Sequence, residues 1–398
     1  DGEVYVAYHE EASEGSGHAG ILLPCLLLLG AMFNLTLVVA GLKEFVIGEL
    51  RGTVTDASLF FSVETFSYIL FAPLWGILSD RLGRRRPFVV IGFALSALVY
   101  ATYMVVDSVP TLLVLRFVQG AFAVMGWSLV MASVVDQPGG QRGRNMGLMG
   151  AAIIFGVAMG APVGGYLTRW YGARAPLVAA AVLFALLALS ALALAEPARR
   201  LRGPRTAEIL AALRSRPRLL LPLAFHFVDR LAVGLFVVIF PLYVDSLGAA
   251  DPAVRGRYLA LFLLPFATFQ YFTGKLAERT GPYKPLLLGS LLYGLLLCLV
   301  GYSELFTLWW VMIGLGLFAA VMFPPAILLT SQLSDPDTRG SAMGGFNLAG
   351  SLGFALGPLL GGAVYAARGF GVAFALCGLI EVALALVGWL VVRRWRPD

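Results

Sequence analysis

Long apolar runs separated by short polar connections make up most of the chain. Each run has about 20 residues, the length that an α-helix needs to cross the hydrocarbon core of a bilayer. Glycine and proline occur inside several runs, and membrane helices tolerate them because neighbouring helices satisfy the freed backbone groups. The pattern predicts an all-α membrane protein with twelve transmembrane helices. The runs lie at residues 20–42, 57–79, 87–106, 110–134, 145–167, 175–195, 219–244, 257–275, 285–302, 306–331, 341–366 and 372–392.

The composition agrees with this pattern. Apolar residues form 59% of the 398 positions and charged residues only 13%. A soluble chain carries about 25% charged residues. So few charges cannot cover a solvated surface, which excludes a soluble enzyme, a disordered chain and a disulfide-rich secreted protein. The three cysteines, Cys25, Cys298 and Cys377, lie in apolar runs and have neither disulfide nor metal-ligand spacing.

The net charge of +6 is explained by orientation in the membrane. Of the 29 Lys and Arg residues, 20 lie in the connections after even-numbered runs or in the C-terminal tail, and 7 lie in the alternate connections. Basic connections stay on the cytoplasmic side. We therefore expect a multi-pass protein of the plasma (inner) membrane with both termini in the cytoplasm, and no nucleic-acid partner.

The longest polar connection divides the chain into two halves of six runs each. Residues 196–218 form a basic linker between a first half at 21–195 and a second half at 219–398, which ends in a short cytoplasmic tail. In the linker, Ala207 to Leu213 has amphipathic character and is expected on the lipid surface. Residues 1–20 hold five acids and no Lys or Arg, which predicts a polar tail and not a signal peptide.

The two halves repeat each other at a nearly constant offset. The cluster Gly76, Asp80, Gly83, Arg86 and Pro87 recurs 198 positions later as Gly274, Glu278, Gly281, Lys284 and Pro285. A glycine pattern at 156–165 recurs 197 positions later at 353–362. Parallel repeats of this kind are typical of transporters, whose substrate site lies between the halves near the midplane. We expect two six-helix bundles around a central cavity.

The connection after the second run carries a motif. Residues 76–87 read GILSDRLGRRRP. This resembles the G-x-L-x-D-R-x-G-R-R signature of the major facilitator superfamily, and the span count, repeat and orientation extend the resemblance over the whole chain. The chain is most like the twelve-helix drug:proton antiporters. From charge alone, the motif also fits a plain cytoplasmic anchor.

The resemblance implies that this connection is a conformational latch of the outward-facing state. Its acid, Asp80, would face the start of the eleventh helix at Gly340 to Met343. The residues of the latch are Gly76, Asp80, Arg81, Gly83, Arg84 and Arg85.

The fourth run contains Arg116, about 9 Å from its outer boundary at 1.5 Å per residue. Its surroundings resemble the family motif in which an arginine is linked to proton movement in proton-coupled members. Gln119 shares its helix face and extends a polar stripe. The alternative is an arginine that snorkels to the outer headgroups.

Runs 5 and 11 carry a spaced glycine motif that resembles the family's antiporter motif, usually found in helix 5 and associated with exporters. Here the unbroken Gly-Pro-x-x-Gly-Gly form lies in run 11, whereas Ala161 precedes the proline in run 5. We expect these small residues to let helices 5 and 11 pack tightly as a seam between the halves. Generic glycine packing is the alternative. The residues are Gly156, Gly160, Pro162, Gly164, Gly165, Gly353, Gly357, Pro358, Gly361 and Gly362.

Five charged residues lie inside the apolar runs and away from the run ends: Glu64, Arg116, Asp229, Arg230 and Glu381. Each costs at least about 2.5–3.5 kcal/mol on insertion scales and so indicates a functional site. Burial favours a neutral carboxyl group and a nearby arginine favours the charged form, which is the switch that proton coupling needs. We expect Glu64 or Asp229 to carry the proton. Glu381 fits a structural hydrogen bond equally well, because the twelfth helix is usually peripheral in the resembled family.

His226, Asp229 and Arg230 share one helix face, since they are spaced by three and four residues. We expect them in the substrate cavity, with a structural buried pair as the alternative. A metal site from His226 and Asp229 would have only two ligands, so we expect none. Asn34 and Asn347 are further candidates for hydrogen bonding in the cavity.

These features predict a secondary active transporter that works by alternating access and exports a small amphiphilic drug or metabolite by proton coupling. Uptake of a small metabolite or anion, by proton symport or uniport, is the alternative. We expect a monomer whose partners are the substrate and the lipid bilayer, with no cofactor and the proton gradient as energy source. Catalysis is not expected, because His226 is the only histidine in any run.

Overall fold

The computed structural model of the chain describes the backbone of residues 2–135, 142–196, 206–335 and 338–395. Within these ranges every regular element is a helix. In chain order they are α1 (Gly2–Leu37), a π-helix (Lys43–Glu49), α2 (Val54–Leu82), α3 (Arg86–Thr102), α4 (Val109–Val135), α5 (Arg142–Tyr171), α6 (Ala175–Ala191), α7 (Thr206–Ser215), a 3₁₀ turn (Pro217–Leu219), α8 (Leu220–Ser246), α9 (Pro252–Thr280), α10 (Tyr283–Val300), α11 (Leu305–Leu333) and α12 (Arg339–Trp395).

The predicted fold is confirmed: in the part of the chain that the structure describes, twelve membrane helices form two six-helix bundles. Among the described residues, nine helices are long and apolar enough to cross a membrane. The two shorter apolar helices α3 and α6 add two spans at 17 residues each, near the lower limit for a span. α12 holds two spans that meet at Gly369, whose φ of 80° is accessible to glycine without strain.

Two details differ from the sequence interpretation, and a third agrees with it. α1 begins at Gly2, so the residues expected to be a polar tail continue the first membrane helix; this stretch contains no proline, and acids near a helix N-terminus are favourable. The first run is not one helix to residue 42, because α1 ends at Leu37 and a π-helix follows a turn. The amphipathic segment predicted at Ala207 to Leu213 of the linker forms a helix, α7, and linker residues 197–205 lie outside the described ranges.

Helix pairing is the same in both halves. In the first half α1 packs on α5, α2 on α4, and α3 on α6 and α4; in the second half α8 packs on α12, α9 on α11, and α10 on α11 and α12. Between the halves, α5 packs on α9 and α2 packs on α12. The halves therefore meet along two seams, one on each side of the central cleft.

The glycines of α5 provide close backbone contact within the first half. A Cβ added at Gly156, Gly160 or Gly164 would meet carbonyl groups of α1, the last of them that of Leu37. Only a residue without a side chain lets two helices approach this closely.

The glycines of α12 do the same in the second half. Gly353 and Gly357 lie against the backbone of α8, and Gly361 lies against Leu235 of that helix. Pro358 contacts Gly234, also on α8. The expectation that helices 5 and 11 pack against each other is therefore wrong in this conformation: most of these glycines reach the first helix of their own half, and Gly165 and Gly362 reach α9 and α2 of the other half.

Replacing Gly164 by valine should destabilise the first half, because the new side chain would displace the α1 backbone. Overpacking of this kind costs about 1–3 kcal/mol. The matched control is Gly147→Val, on the same helix, where an added Cβ has nothing within 4 Å. Thermal unfolding in detergent should show a lower midpoint for the first variant alone. Equal midpoints for the two variants would contradict the packing.

Candidate functional site

The two ends of the cleft differ. We call the end with the α2–α3 and α9–α10 connections the basic end and the opposite end the sealed end. At the sealed end the halves touch: Gly165 lies against Pro252, Gly256 against Ala161, and Gly362 against Ser58. Pro162 also contacts Gly256 there. At the basic end, a Cβ added to Gly76, Gly147, Gly150 or Gly340 would meet open space. Along the helices of the two seams, glycine contacts between the halves thus occur at the sealed end and not at the basic end.

Four charged residues join the halves at the sealed end, and we call Lys43, Glu44, Asp245 and Arg255 the sealing cluster. Lys43 Nζ donates to Asp245 Oδ2 at 2.6 Å across the halves. Arg255, fully buried, donates to Asp245 Oδ1 at 2.9 Å within its own half and to Glu44 across the halves. It also donates to the carbonyl of Ala40 at 3.3 Å. A neighbouring pair, Arg169 Nη1 to Asp251 Oδ2 at 3.0 Å, crosses the same boundary.

Sequence reasoning missed the sealing cluster. The apolar pattern predicts an eighth span that begins at residue 257, which leaves Arg255 in a surface connection. In the structure α9 begins at Pro252, so Arg255 belongs to the helix. Charged residues are common near helix ends and do not stand out there. Lys43 and Asp245 are separated by about half the length of the chain, so no local sequence pattern indicates that they pair.

The first half buries an ion pair between α2 and α4. Arg116 Nη2 lies 2.5 Å from Glu64 Oε2, and the two side chains are 0% and 2% exposed. Tyr68 donates its hydroxyl to Glu64 Oε1 at 2.6 Å. The guanidinium also lies 4.0 Å from the centre of the Phe60 ring. Arg116 therefore does not snorkel to the headgroups.

Further polar groups complete this network. Arg116 Nη1 donates to the Tyr100 hydroxyl at 2.7 Å and to Gln119 Oε1 at 3.1 Å. Asn34 Nδ2 donates to the same hydroxyl at 2.9 Å. Four residues predicted for the site, from three separate runs, therefore lie together in one network. They are Asn34, Glu64, Arg116 and Gln119. Tyr100 was not predicted; a tyrosine in an apolar helix is too common to single out.

The second half holds a different arrangement on α8. Arg230 donates from Nε and Nη2 to Asp229 Oδ2, at 2.8 and 2.7 Å. His226 stacks on Phe346 of α12, with ring centres 3.9 Å apart. The Arg230 guanidinium lies 5.1 Å from the centre of the Phe323 ring of α11. Asp229 and Arg230, adjacent in the sequence, therefore form an ion pair that is surrounded by aromatic rings.

Glu381 and Asn347 take no part in the hydrogen bonds of these two arrangements. Glu381 is fully buried between α12 and α10, where Ser290 donates to its Oε1 at 2.6 Å. Its Oε2 is buried without a hydrogen-bond partner in the described part of the chain. Asn347 is exposed on α12. Among the described residues no group of three or more His, Cys, Asp and Glu side chains could hold a metal ion.

The predicted latch residues lie at the basic end. Gly83 ends α2 with a φ of 68°, which favours glycine. Asp80 pairs with Arg85 of the same connection at 3.4 Å, and Arg81 and Arg84 are exposed. The Glu196 carboxylate accepts backbone N–H groups of Arg85 and Arg86 at 2.8–3.0 Å and so caps α3. In this conformation the expected counterpart, Gly340, faces open space.

Two repeated bundles around a central cleft form the architecture of a membrane transporter. The family model of the Major Facilitator Superfamily matches residues 24–255 and 223–398. The chain therefore belongs to this superfamily of transporters, as the sequence resemblance indicated.

Its relatives include transporters of amines and drugs. The synaptic vesicular amine transporter of Rattus norvegicus is 24% identical over 350 residues, which cover 85% of this chain and 66% of that protein. The multi-drug resistance efflux pump PmrA of Streptococcus pneumoniae serotype 4 is 28% identical over 333 residues, covering 80% and 81%. A bacterial homologue of the human lysosomal transporter Spinster, solved in an inward-facing and occupied conformation, is 15% identical with a TM-score of 0.79, covering 94% and 96%. It shows the shared fold.

Removing the cross-half ion pairs should loosen the sealed end. In the double variant Lys43→Gln/Glu44→Gln, Arg255 keeps Asp245, its partner in its own half, so the variant should fold. Exposed ion pairs contribute about 0.2–1 kcal/mol each, and removing one partner of a buried pair costs about 3–5 kcal/mol. We expect a several-fold larger population with a long distance between spin labels at exposed positions 105 and 306, one on each half.

The control for this measurement is Glu49→Gln. It removes an ion pair with Arg174 that lies entirely within the first half. Labels are attached to Val105→Cys and Phe306→Cys in a chain without its native cysteines, and distances are read by double electron–electron resonance. An unchanged distance distribution in the double variant would show that the sealing cluster does not hold the halves together.

Proposed function

We propose that this protein is a secondary active transporter that exports a small amphiphilic drug or metabolite in exchange for protons. The basic end faces the cytoplasm, in keeping with the positive-inside rule, and the protein works as a monomer because one chain supplies both halves. Membership of the superfamily and similarity to a drug efflux pump and an amine transporter support this proposal. The observation that carries it is the buried network around Glu64.

The network suits reversible protonation of Glu64. As a carboxylate, Glu64 accepts hydrogen bonds from Arg116 and Tyr68. When Glu64 takes a proton, its attraction to Arg116 falls, but the guanidinium keeps Tyr100, Gln119 and the carbonyl of Phe60 as acceptors. A buried cation left without partners would be strongly destabilising. These acceptors therefore let the ion pair break and re-form during a transport cycle.

Glu64 is a better proton carrier than the other two buried acids. Its partners lie on other helices as well as its own: Arg116 on α4 contacts it directly, and Tyr100 on α3 and Asn34 on α1 follow in the network. A change of charge at Glu64 is thus felt by four helices of the first half. Asp229 pairs with the next residue along α8, and Glu381 accepts one hydroxyl from α10.

The contacts between the halves at the sealed end make this conformation inward-facing in the proposed orientation. Alternating access would break the sealing cluster and close the basic end, where Asp80 would meet the start of α12. Proton gradient and substrate gradient together set the direction. The alternative, uptake of a small metabolite or anion by symport or uniport, uses the same two states and is favoured only by the exposed part of Arg230.

Purified protein in liposomes that contain a pH-sensitive dye tests the coupling. The probes are 2-naphthoate, 2-naphthylmethylamine and 2-naphthamide, which share one ring system and differ in charge. At least one probe should move protons in the opposite direction to itself. Proton movement in the same direction as every transported probe would establish the uptake alternative instead.

Glu64→Gln should abolish proton movement, reducing it by at least about tenfold, the equivalent of roughly 1.4 kcal/mol, while exchange of labelled for unlabelled probe continues. The matched control is Glu381→Gln, which neutralises an equally buried acid outside the network and should keep coupling within about twofold. Proton coupling that survives in Glu64→Gln at the wild-type rate would contradict the role of Glu64.

A further inference from the structure

Only one of the two membrane-embedded ion pairs presents a charge to the cleft. Glu64 and Arg116 are almost completely buried. In the second half, the side chain of Asp229 is 4% exposed, whereas that of Arg230 is 22% exposed. A molecule that enters the cleft therefore meets a guanidinium and not a carboxylate.

The outward edge of Arg230 has capacity for another acceptor. Its Nε and Nη2 both donate to a single oxygen, Asp229 Oδ2. Among the described residues, Nη1 of Arg230 has no hydrogen-bond partner, and Asp229 Oδ1 is buried without one. A guanidinium holds its five N–H groups in a planar fork that fits a carboxylate or phosphate through two bonds. The Nη1 edge is free to bind such an anion.

Aromatic rings surround the Arg230 guanidinium; among them Phe323 is partly exposed, whereas Phe266 and Phe346 are buried. Phe323 and Phe266 lie 5.1 and 5.9 Å from the Arg230 guanidinium, measured to the ring centres. Phe346 and His226 form a stacked pair beside them, 5.5 Å from Phe323 to His226. Ligand sites of transport and binding proteins commonly combine apolar walls with a few fixed polar groups, and flat ring systems pack well on phenylalanine.

We infer that Arg230 binds the anionic group of a flat aromatic substrate, and that Asp229 takes the place of that group when the site is empty. The inference rests on the proposed function and names the class of amphiphile. An unpaired arginine in a closed, dry cleft is costly. Because Asp229 neutralises Arg230, the empty protein can change conformation; when the substrate anion binds, it competes with Asp229 for the same guanidinium.

Equilibrium binding to protein in nanodiscs tests the recognition step. Wild-type protein should bind 2-naphthoate at least about tenfold more tightly than 2-naphthylmethylamine or 2-naphthamide, a difference that one charge-assisted contact supplies. Arg230→Gln should remove this preference and Arg230→Lys should restore part of it. The double variant Asp229→Asn/Arg230→Gln guards against misfolding around a lone buried carboxylate and should also lack the preference.

Several outcomes overturn the inference. Tighter binding of the amine, no binding of naphthoate, or a naphthoate preference that persists without Arg230 would each do so. The binding measurement needs no proton gradient, so its failure leaves the proton coupling measured with Glu64→Gln intact. Conversely, loss of coupling with a retained naphthoate preference contradicts the proposed function and not this inference.

Asp229→Asn tests the competition between Asp229 and substrate. Without the competing carboxylate, naphthoate should bind several-fold more tightly and exchange between bound and free naphthoate across the membrane should continue. Net transport should fall by at least about tenfold, because the empty protein now carries an unpaired arginine through the closed state. Glu49→Gln, which removes an acid paired with Arg174 inside the first half, is the control and should change neither. Weaker naphthoate binding in Asp229→Asn, or unchanged net transport, would overturn the role of Asp229.

Discussion

A charge inside lipid has to find its partner within the protein, and this constraint organises the structure. Water cannot solvate Arg116 or Arg255, both fully buried, so each is surrounded by carboxylates, carbonyls and hydroxyls from other helices. A helix that supplies such a partner is fixed relative to the helix that needs it. The ionic groups therefore decide which helices move together and which boundary can open.

Close backbone packing complements these ion pairs. The glycines of α5 and α12 hold each bundle together by contact with α1 and α8, while the boundary between bundles relies on fewer such contacts and on the sealing cluster. Rigid halves and a weaker boundary are what a two-state movement of whole bundles requires. The repeat in the sequence is thus expressed as the same internal packing, made twice.

The sequence allowed the fold to be predicted because lipid leaves few alternatives for apolar runs of this length. It also revealed the buried charged residues, since an acid such as Glu64 stands out in an apolar run. The sequence did not reveal which residues form ion pairs and hydrogen bonds with one another. The partners of Arg116 come from α2, α3 and its own helix α4, and the role of Arg255 depends on a helix start about five residues before the predicted one. Side-chain partners across long sequence separations, and the within-half packing of the glycines, are set by tertiary geometry that a single sequence does not display.

The π-helix at Lys43–Glu49 breaks the symmetry of the two halves. The stretch that corresponds to it in the second half, at an offset of 197 or 198, lies in the regular last turns of α8, which contribute Asp245. A π-turn adds a residue and rotates the side chains that follow, and such turns are often found at functional positions. The two repeats therefore bring different backbone geometries to their junction. The two halves share the same internal packing but differ in backbone geometry at the sealed end. The contacts that close the sealed end are therefore not symmetric between the halves.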